Sequence, residues 1–358
     1  MVQAWEWNGG VRFRLDEPFS LQDTFTCGQA FRFYPVEGGG YAGIALERAV
    51  VIAPMENGSF FLSPCTLGEF QNLWRSYLDL DRSYAKIMEA LWGDPHVRRG
   101  MEYAPGIRIL NQDPFETTIS FVISANNNMK RIMSLIAALS RGWGRELPYG
   151  GYAFPTPEAL ASIDPMELRR IGMGYRAEYI VGTARMVADG FDLQRSMSMD
   201  LSEARKHLCR LPGVGPKVAD CILMFSLHHR DAFPVDTWVK KVLLRLYPQC
   251  DPRHPVPFAK AQYGALAGYA NPVSYTHLDV YKRQFPTCPL VPYTSIIHDR
   301  AGIELFRGCT RGCRFCQAGY LYRPMRLRKK ETLLEQARET IRTTGYEEVS
   351  LTLSLIHI

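Results

Sequence analysis

Apolar and polar residues alternate through Phe31-Arg32-Phe33-Tyr34, and after a glycine-rich turn at Gly38 to Gly40 short apolar runs recur at Tyr41 to Leu46, Ala49 to Ala53 and Phe60 to Leu62. A period of two interrupted by turn residues is the pattern of antiparallel strands. Residues 1–102 are therefore expected to form a mixed α/β domain that opens with extended segments and closes with two amphipathic helices near 66–78 and 82–92. From Tyr103 the period lengthens. Asp113-Pro114 joins an N-cap to the proline favoured at the first helical position, and Phe115, Ile119, Val122 and Ile123 follow at helical spacing. Further helices are predicted near 128–141, 165–171, 176–189, 201–209, 216–227, 236–247 and 257–270. The fold class is α+β: an N-terminal antiparallel β-sheet domain with helices, then a helical domain over 103–271.

The pattern breaks at Asn271-Pro272, where a helix should continue. Residues 272–284 match neither the helical period before them nor the proline-rich extended stretch after them. They resemble a recurrent artefact of translated sequence assemblies, as do the last five residues of the chain. The segment is read as a chimeric junction, with an interdomain linker as the alternative; its lack of glycine and its single serine argue against a flexible one. Residues 285–358 are too few for a complete domain of the kind their cysteines suggest below.

Composition sharpens this picture in three ways. At 358 residues and 46% hydrophobic, the chain can bury two or three cores. It has no apolar run of about 18 residues and no basic-then-apolar leader, so a soluble, cytoplasmic bacterial protein without a membrane contact is expected. The net charge of +6 is uneven: 11 Lys and Arg stand against 7 Asp and Glu from Phe285 onward, leaving 31 against 29 before it. Any affinity of the front part for nucleic acid must come from local arrangement of donors, not from bulk charge.

The chemistry concentrates at Leu211-Pro212-Gly213-Val214-Gly215-Pro216-Lys217, between two predicted helices. Two glycines around one apolar residue permit a tight turn with exposed backbone N–H groups, and Pro216 opens the second helix. Such a turn presents a helix N-terminus to an anion and can grip a DNA phosphate at Gly213, Val214 and Gly215 without reading sequence. Lys217 lies in the first turn of that second helix. The positive end of a helix and partial burial both disfavour an ammonium, so this is a place where a neutral, nucleophilic amine can arise. An ordinary phosphate-neutralising lysine is the alternative. Nineteen residues on, Asp236 in Phe233-Pro234-Val235-Asp236-Thr237-Trp238 is placed to cap the next helix. A carboxylate kept ionised there suits stabilisation of a sugar oxocarbenium ion.

Together these elements resemble the helix-hairpin-helix DNA glycosylase superfamily, and a lysine at 217 resembles its bifunctional branch. Four further segments resemble the 8-oxoguanine DNA glycosylase/AP lyase family over nearly all of 1–271. The resemblance implies Lys217 as nucleophile and Asp236 as its acidic partner. It implies that the Gly28 carbonyl, in Phe25-Thr26-Cys27-Gly28-Gln29, accepts a hydrogen bond from N7–H of the lesion, which normal guanine lacks. Asn126 and Arg131 would fill the gap left by the flipped nucleotide and contact the orphaned cytosine; Tyr175 would wedge the duplex and Arg176 join Arg131 at the cytosine. Cys221, one turn beyond Lys217, would pack against the flipped base. The implied partner is double-stranded DNA containing an oxidised purine, bound by a monomer, with no cofactor for the glycosylase chemistry. Another lesion, or DNA binding without catalysis, are the competing readings.

Two departures qualify the resemblance. Trp238 stands where vertebrate members carry histidine. At the last helix, Asn271 occupies the position of a lesion-reading glutamine, and the junction replaces an aromatic one turn later, so weakened lesion affinity is expected. In the tail, Cys309, Cys313 and Cys316 form CxxxCxxC, three of nine cysteines within eight residues. That spacing resembles radical S-adenosylmethionine enzymes and suggests three ligands of a [4Fe–4S] cluster, with a zinc knuckle as the alternative. The fragment is too short for a full barrel of that class and is expected to be incomplete, partly disordered around a basic helix near 329–343.

Overall fold

The computed structural model describes residues 2–251, 253–271, 301–307, 326–344 and 348–353. The chain divides into two units, Met1–Asp279 and Val280–Ile358.

In the first unit a six-stranded antiparallel sheet is built from β1 (Val2–Trp7), β2 (Gly10–Leu15), β3 (Phe33–Pro35), β4 (Tyr41–Ala45), β5 (Arg48–Pro54) and β6 (Ser59–Ser63). Its spatial order is β1-β2-β6-β5-β4-β3. The three apolar runs read from the sequence became β4, β5 and β6, whereas the hairpin β1–β2 was not singled out. Its alternation is blurred because β1 is an edge strand whose outward positions carry Trp5 and Trp7, both exposed. One face of the sheet buries Val11, Phe13, Val50, Ile52 and Leu62 against α1 (Leu21–Thr26) and the helical run through α2 (Leu67–Glu69), a π-turn at Phe70–Trp74, and α3 (Arg75–Tyr77). Trp74, Phe13 and Phe70 are among the largest side chains sealed there.

α4 (Tyr84–Leu91) and α5 (Pro95–Tyr103) lead into the helical core. α5 was not expected, although Asp94 before Pro95 is the same cap-and-proline signal as at Asp113-Pro114. Asp94 accepts the His96 and Val97 N–H groups and also the hydroxyls of Tyr247 and Tyr263, at 2.9–3.2 Å. That carboxylate therefore caps a local helix and anchors residues more than 150 positions away.

The core helices are α6 (Pro114–Ser124), α7 (Met129–Trp143), α8 (Pro157–Ala161), α9 (Pro165–Arg170), α10 (Arg176–Ala188), α11 (Leu201–Leu208), α12 (Pro216–Ser226), α13 (Thr237–Leu246) and α14 (Pro255–Tyr263), with helical residues continuing to 271. Only α8 lacks a counterpart in the sequence reading; five residues are too few to show a period. α6 and α12 are apolar on nearly every side because they lie in the middle. The last described residues of the unit pack inward: Ala259, Ala267, Tyr269, Ala270 and Asn271 are all buried. Among the described residues no helix is long and apolar enough to cross a membrane.

The second unit contains β7 (Ala301–Arg307), β8 (Arg326–Leu327), α15 (Lys330–Thr344) and β9 (Val349–Leu353), with β7 parallel to β9 and antiparallel to β8. A parallel pair joined through a helix is the βαβ arrangement. The expected helix is present, but it is not basic. Lys330, Arg338 and Arg342 balance Glu331, Glu335 and Glu339, and the excess positive charge lies just before it at Arg326, Arg328 and Lys329. Residues 272–300 and the cysteines at 309, 313 and 316 lie outside the described residues.

Candidate active site

Lys217 enters from the hairpin. Gly215 is the N-cap of α12 and donates no side-chain cap, so the first-turn N–H groups stay available to an anion. Gly213 has φ +78°, and a Cβ built there would lie 2.8 Å from the Cβ of Tyr179 on α10. Glycine is required twice at this point, once for backbone conformation and once for close approach. Val214 is buried beneath the turn, and the Thr183 hydroxyl donates to the Pro212 carbonyl at 2.9 Å, which fixes the hairpin on α10.

Lys217 is half-buried. Its Nζ lies 5.3 Å from the centroid of the Phe121 ring, on α6. Cys221, four residues on and so on the same face of α12, is buried. Burial pushes its thiol up to about 11, against the opposing pull of the charge and hydrogen bond of Lys217, while Asp220 and Asp236 add to the rise. The Cys221 thiol thus senses both Lys217 and Asp236, which places the three groups in one neighbourhood. Asp236 caps α13 as expected: its carboxylate accepts the Val239 N–H at 2.7 Å and its carbonyl accepts the Lys240 N–H. Asn271 is also brought to this segment. It is buried and its amide donates to the Pro234 carbonyl at 2.9 Å, two residues before Asp236.

A second group of expected residues gathers where the α6–α7 and α9–α10 connections meet. Asn126 is exposed and left-handed, φ +49°. Asn127 and Asn128 act locally, on the Ile123 carbonyl and as the N-cap of α7. Arg131 is exposed and donates across to the Gly172 carbonyl at 3.1 Å. Arg176 reaches the opposite way: it is buried and donates to the carbonyls of Ala125 and Asn126 at the end of α6, with its guanidinium over the Tyr175 ring. Tyr175 projects, 51% exposed, with an edge contact to Tyr179. The two arginines clasp the two loops reciprocally. Arg131 keeps its head at the surface, whereas Arg176 is committed to backbone carbonyls.

Gly28 completes the constellation. Its φ is +90°, and a Cβ there would lie 3.3 Å from the Met129 side chain at the start of α7. The loop is held by Gln29, whose buried amide donates to the carbonyls of Thr24 and Arg108 and accepts the Leu110 N–H, at 2.7–2.9 Å. Neither Gln29 nor Phe121 was marked in the sequence. Gln29 works through contacts some 80 residues away. Phe121 falls off the stripe formed by Phe115, Ile119 and Val122, and an aromatic off the stripe was the available signal.

Cavity size does not find this place. A cavity of about 370 Å³ lined by Arg32, Tyr34, Ile44, Ser140 and Tyr152 and another of about 430 Å³ beside Trp92 contain neither Lys217 nor Asp236.

Comparison with known proteins agrees with the geometry. Residues 12–118 match the 8-oxoguanine DNA glycosylase N-terminal domain, and residues 119–255 match the HhH-GPD superfamily of base excision DNA repair proteins. A probable N-glycosylase/DNA lyase of Methanothermobacter thermautotrophicus is 34% identical over 269 residues, 68% of this chain and 82% of that one. The chain belongs to the 8-oxoguanine DNA glycosylase family.

Within this family, the N-glycosylase/DNA lyase OGG1 of Arabidopsis thaliana is 31% identical, covering 70% of this chain and 75% of that one. The 8-oxoguanine glycosylase/lyase of Clostridium acetobutylicum, solved with double-stranded DNA containing cytosine opposite 8-oxoguanine, superposes with a TM-score of 0.74 at 35% identity, covering 79% of this chain and 98% of that one. The expected α+β class, sheet domain first and helical helix-hairpin-helix domain second, is the family's. Cys309, Cys313 and Cys316 lie outside the described residues; among the described residues, no group of three or more His, Cys, Asp or Glu side chains is placed to hold a metal.

Proposed function

We propose that this chain excises 8-oxoguanine opposite cytosine from duplex DNA and then cleaves the strand at the resulting abasic site. The observation that carries the reading is the convergence of Lys217, at the open N-terminus of α12, with Cys221 and Asp236 in a chain of this family. The hairpin amides hold a phosphate, Tyr175 and Asn126 replace the extruded nucleotide, and Arg131 reads the orphaned cytosine. The Lys217 amine attacks C1′, the glycosidic bond breaks, and the base leaves with the bonding electrons and takes up a proton. Asp236 stabilises positive charge developing on the sugar. The ring then opens to a Schiff base on Nζ, loss of a C2′ proton expels the 3′ phosphate by β-elimination, and water releases the lysine. None of these steps calls on a metal or organic cofactor.

The division into a 1–102 and a 103–271 domain, monomeric action, and a cytoplasmic, nucleoid-associated location belong to the same proposal. So does the reading of Cys309, Cys313 and Cys316 as cluster ligands of a radical S-adenosylmethionine fragment, which the sequence motif alone supports and which iron and sulfide analysis would test. For the main activity, a duplex with 8-oxoguanine opposite cytosine should be nicked in single turnover, and a matched guanine·cytosine duplex should stay intact. Equal action on both, or preferential excision of an alkylated purine, would refute the lesion assignment.

A further inference from the structure

Phe121 lies beneath the reactive lysine in a manner its packing alone does not require. Its ring is buried, stacked on Phe225 at 5.6 Å with planes 12° apart, and met edge-on by Phe31 at 5.4 Å. Phe225 lies on α12 with Lys217. Phe31 lies three residues beyond Gly28. The Phe121 ring therefore joins the lesion-reading loop, α6 and the helix of the nucleophile, and Nζ of Lys217 stands 5.3 Å from its centroid, within the range of a cation–π contact.

We infer that Phe121 is a positioning residue for Lys217: its π face holds the ammonium form of Nζ against α6, and the amine leaves that ring when it gives up its proton and turns to C1′. The ring quadrupole attracts an ammonium and has no comparable hold on a neutral amine. The same contact thus parks the resting lysine and favours its release on deprotonation. The Cys221 thiol, on the same helix, is hydrogen-bonded by Lys217, and Asp236 at the start of α13 lies within electrostatic reach of that thiol. A carboxylate supports the ammonium as the ring does, so the effect of the ring must be read with Asp236 intact.

The inference rests on Lys217 being the amine nucleophile, and its test does not need turnover. Reductive methylation of Lys217 in the full chain, followed peptide by peptide with mass spectrometry across pH 6–10, reports how readily Nζ becomes neutral. Phe121→Leu should move the Lys217 profile to lower pH by about half a unit, the size of a weak cation–π contact, while Phe225→Leu, which removes similar volume from the same stack, leaves it in place. An unchanged profile in Phe121→Leu, or an equal shift in both variants, would overturn the inference. Should Phe121→Leu fail to fold, graded fluorination of the phenylalanine ring at 121 keeps the shape and drains the π face; the profile should drift with each fluorine, and a flat series would overturn the inference. Absence of strand cleavage by the wild-type chain would instead count against the proposed function, and the methylation profiles would still decide the role of Phe121.

Discussion

Two arginines with the same expected role have different surroundings. Arg131 holds one carbonyl from an exposed position, and Arg176 is buried with bonds to Ala125 and Asn126. A buried guanidinium that closes a helix end contributes to stability, and an exposed one does not to the same degree. Arg176→Ala should therefore lower unfolding stability by about 1–3 kcal/mol and weaken excision whatever base lies opposite. Arg131→Ala should leave the melting temperature nearly unchanged and flatten the preference for cytosine. Melting curves and excision rates with each opposite base separate the two; equal stability loss would show that Arg176 is no brace. A second residue-scale prediction concerns Glu116, whose carboxyl burial pushes up to about 7 although Arg32 lies 3.4 Å away and opposes the rise. A raised folded value means that the native state holds a proton the unfolded chain releases. This contribution is fully present below the ordinary value near 4.5 and is lost as pH rises through 7. Glu116→Gln should flatten the decline in stability between pH 5 and 8, by up to about 3 kcal/mol; urea titrations at several pH values would reveal it, and an unaltered slope would contradict it.

At the scale of elements, the hairpin depends on one position. Gly213→Ala combines a positive φ with a Cβ 2.8 Å from that of Tyr179, so it should cost about 1–3 kcal/mol and weaken DNA binding more than a comparable change at Gly215, where nothing crowds a Cβ. Equal loss of affinity at both sites, measured by fluorescence anisotropy, would refute this. The hairpin, the Asp236 cap and the three central strands were legible in the sequence because each is local: a turn, a cap and a period of two are decided by neighbours within a few residues. Gln29 and Phe121 were not, since what defines them comes from far along the chain; β1 was hidden instead by the blurred alternation of an edge strand, and α5 by a short helix whose only local signal is its Asp94-Pro95 start. Gln29 is satisfied by residues 108 and 110, and Phe121 matters through residues 31, 217 and 225. The role of Arg176 as a helix-end brace was hidden for the same reason.

For the whole molecule, both buried apolar clusters among the described residues are made from residues before 271, and the glycosylase residues of the site run no further than Asn271. The unit Met1–Asp279 contains everything the proposed chemistry uses. Expressed alone, it should unfold at the same temperature as the corresponding transition of the full chain; a lower midpoint would show that the second unit supports the first. Asn271, the last described residue before the expected junction, is tied to the Pro234 carbonyl by its side chain. The proposed chemistry turns on one atom, Nζ of Lys217. Its most direct test is to reduce the reaction with borohydride on a duplex carrying 8-oxoguanine opposite cytosine and to map the cross-linked peptide. The expected result is a covalent DNA adduct on Lys217, lost in Lys217→Gln; an adduct on another residue, or nicking that persists in Lys217→Gln, would contradict it.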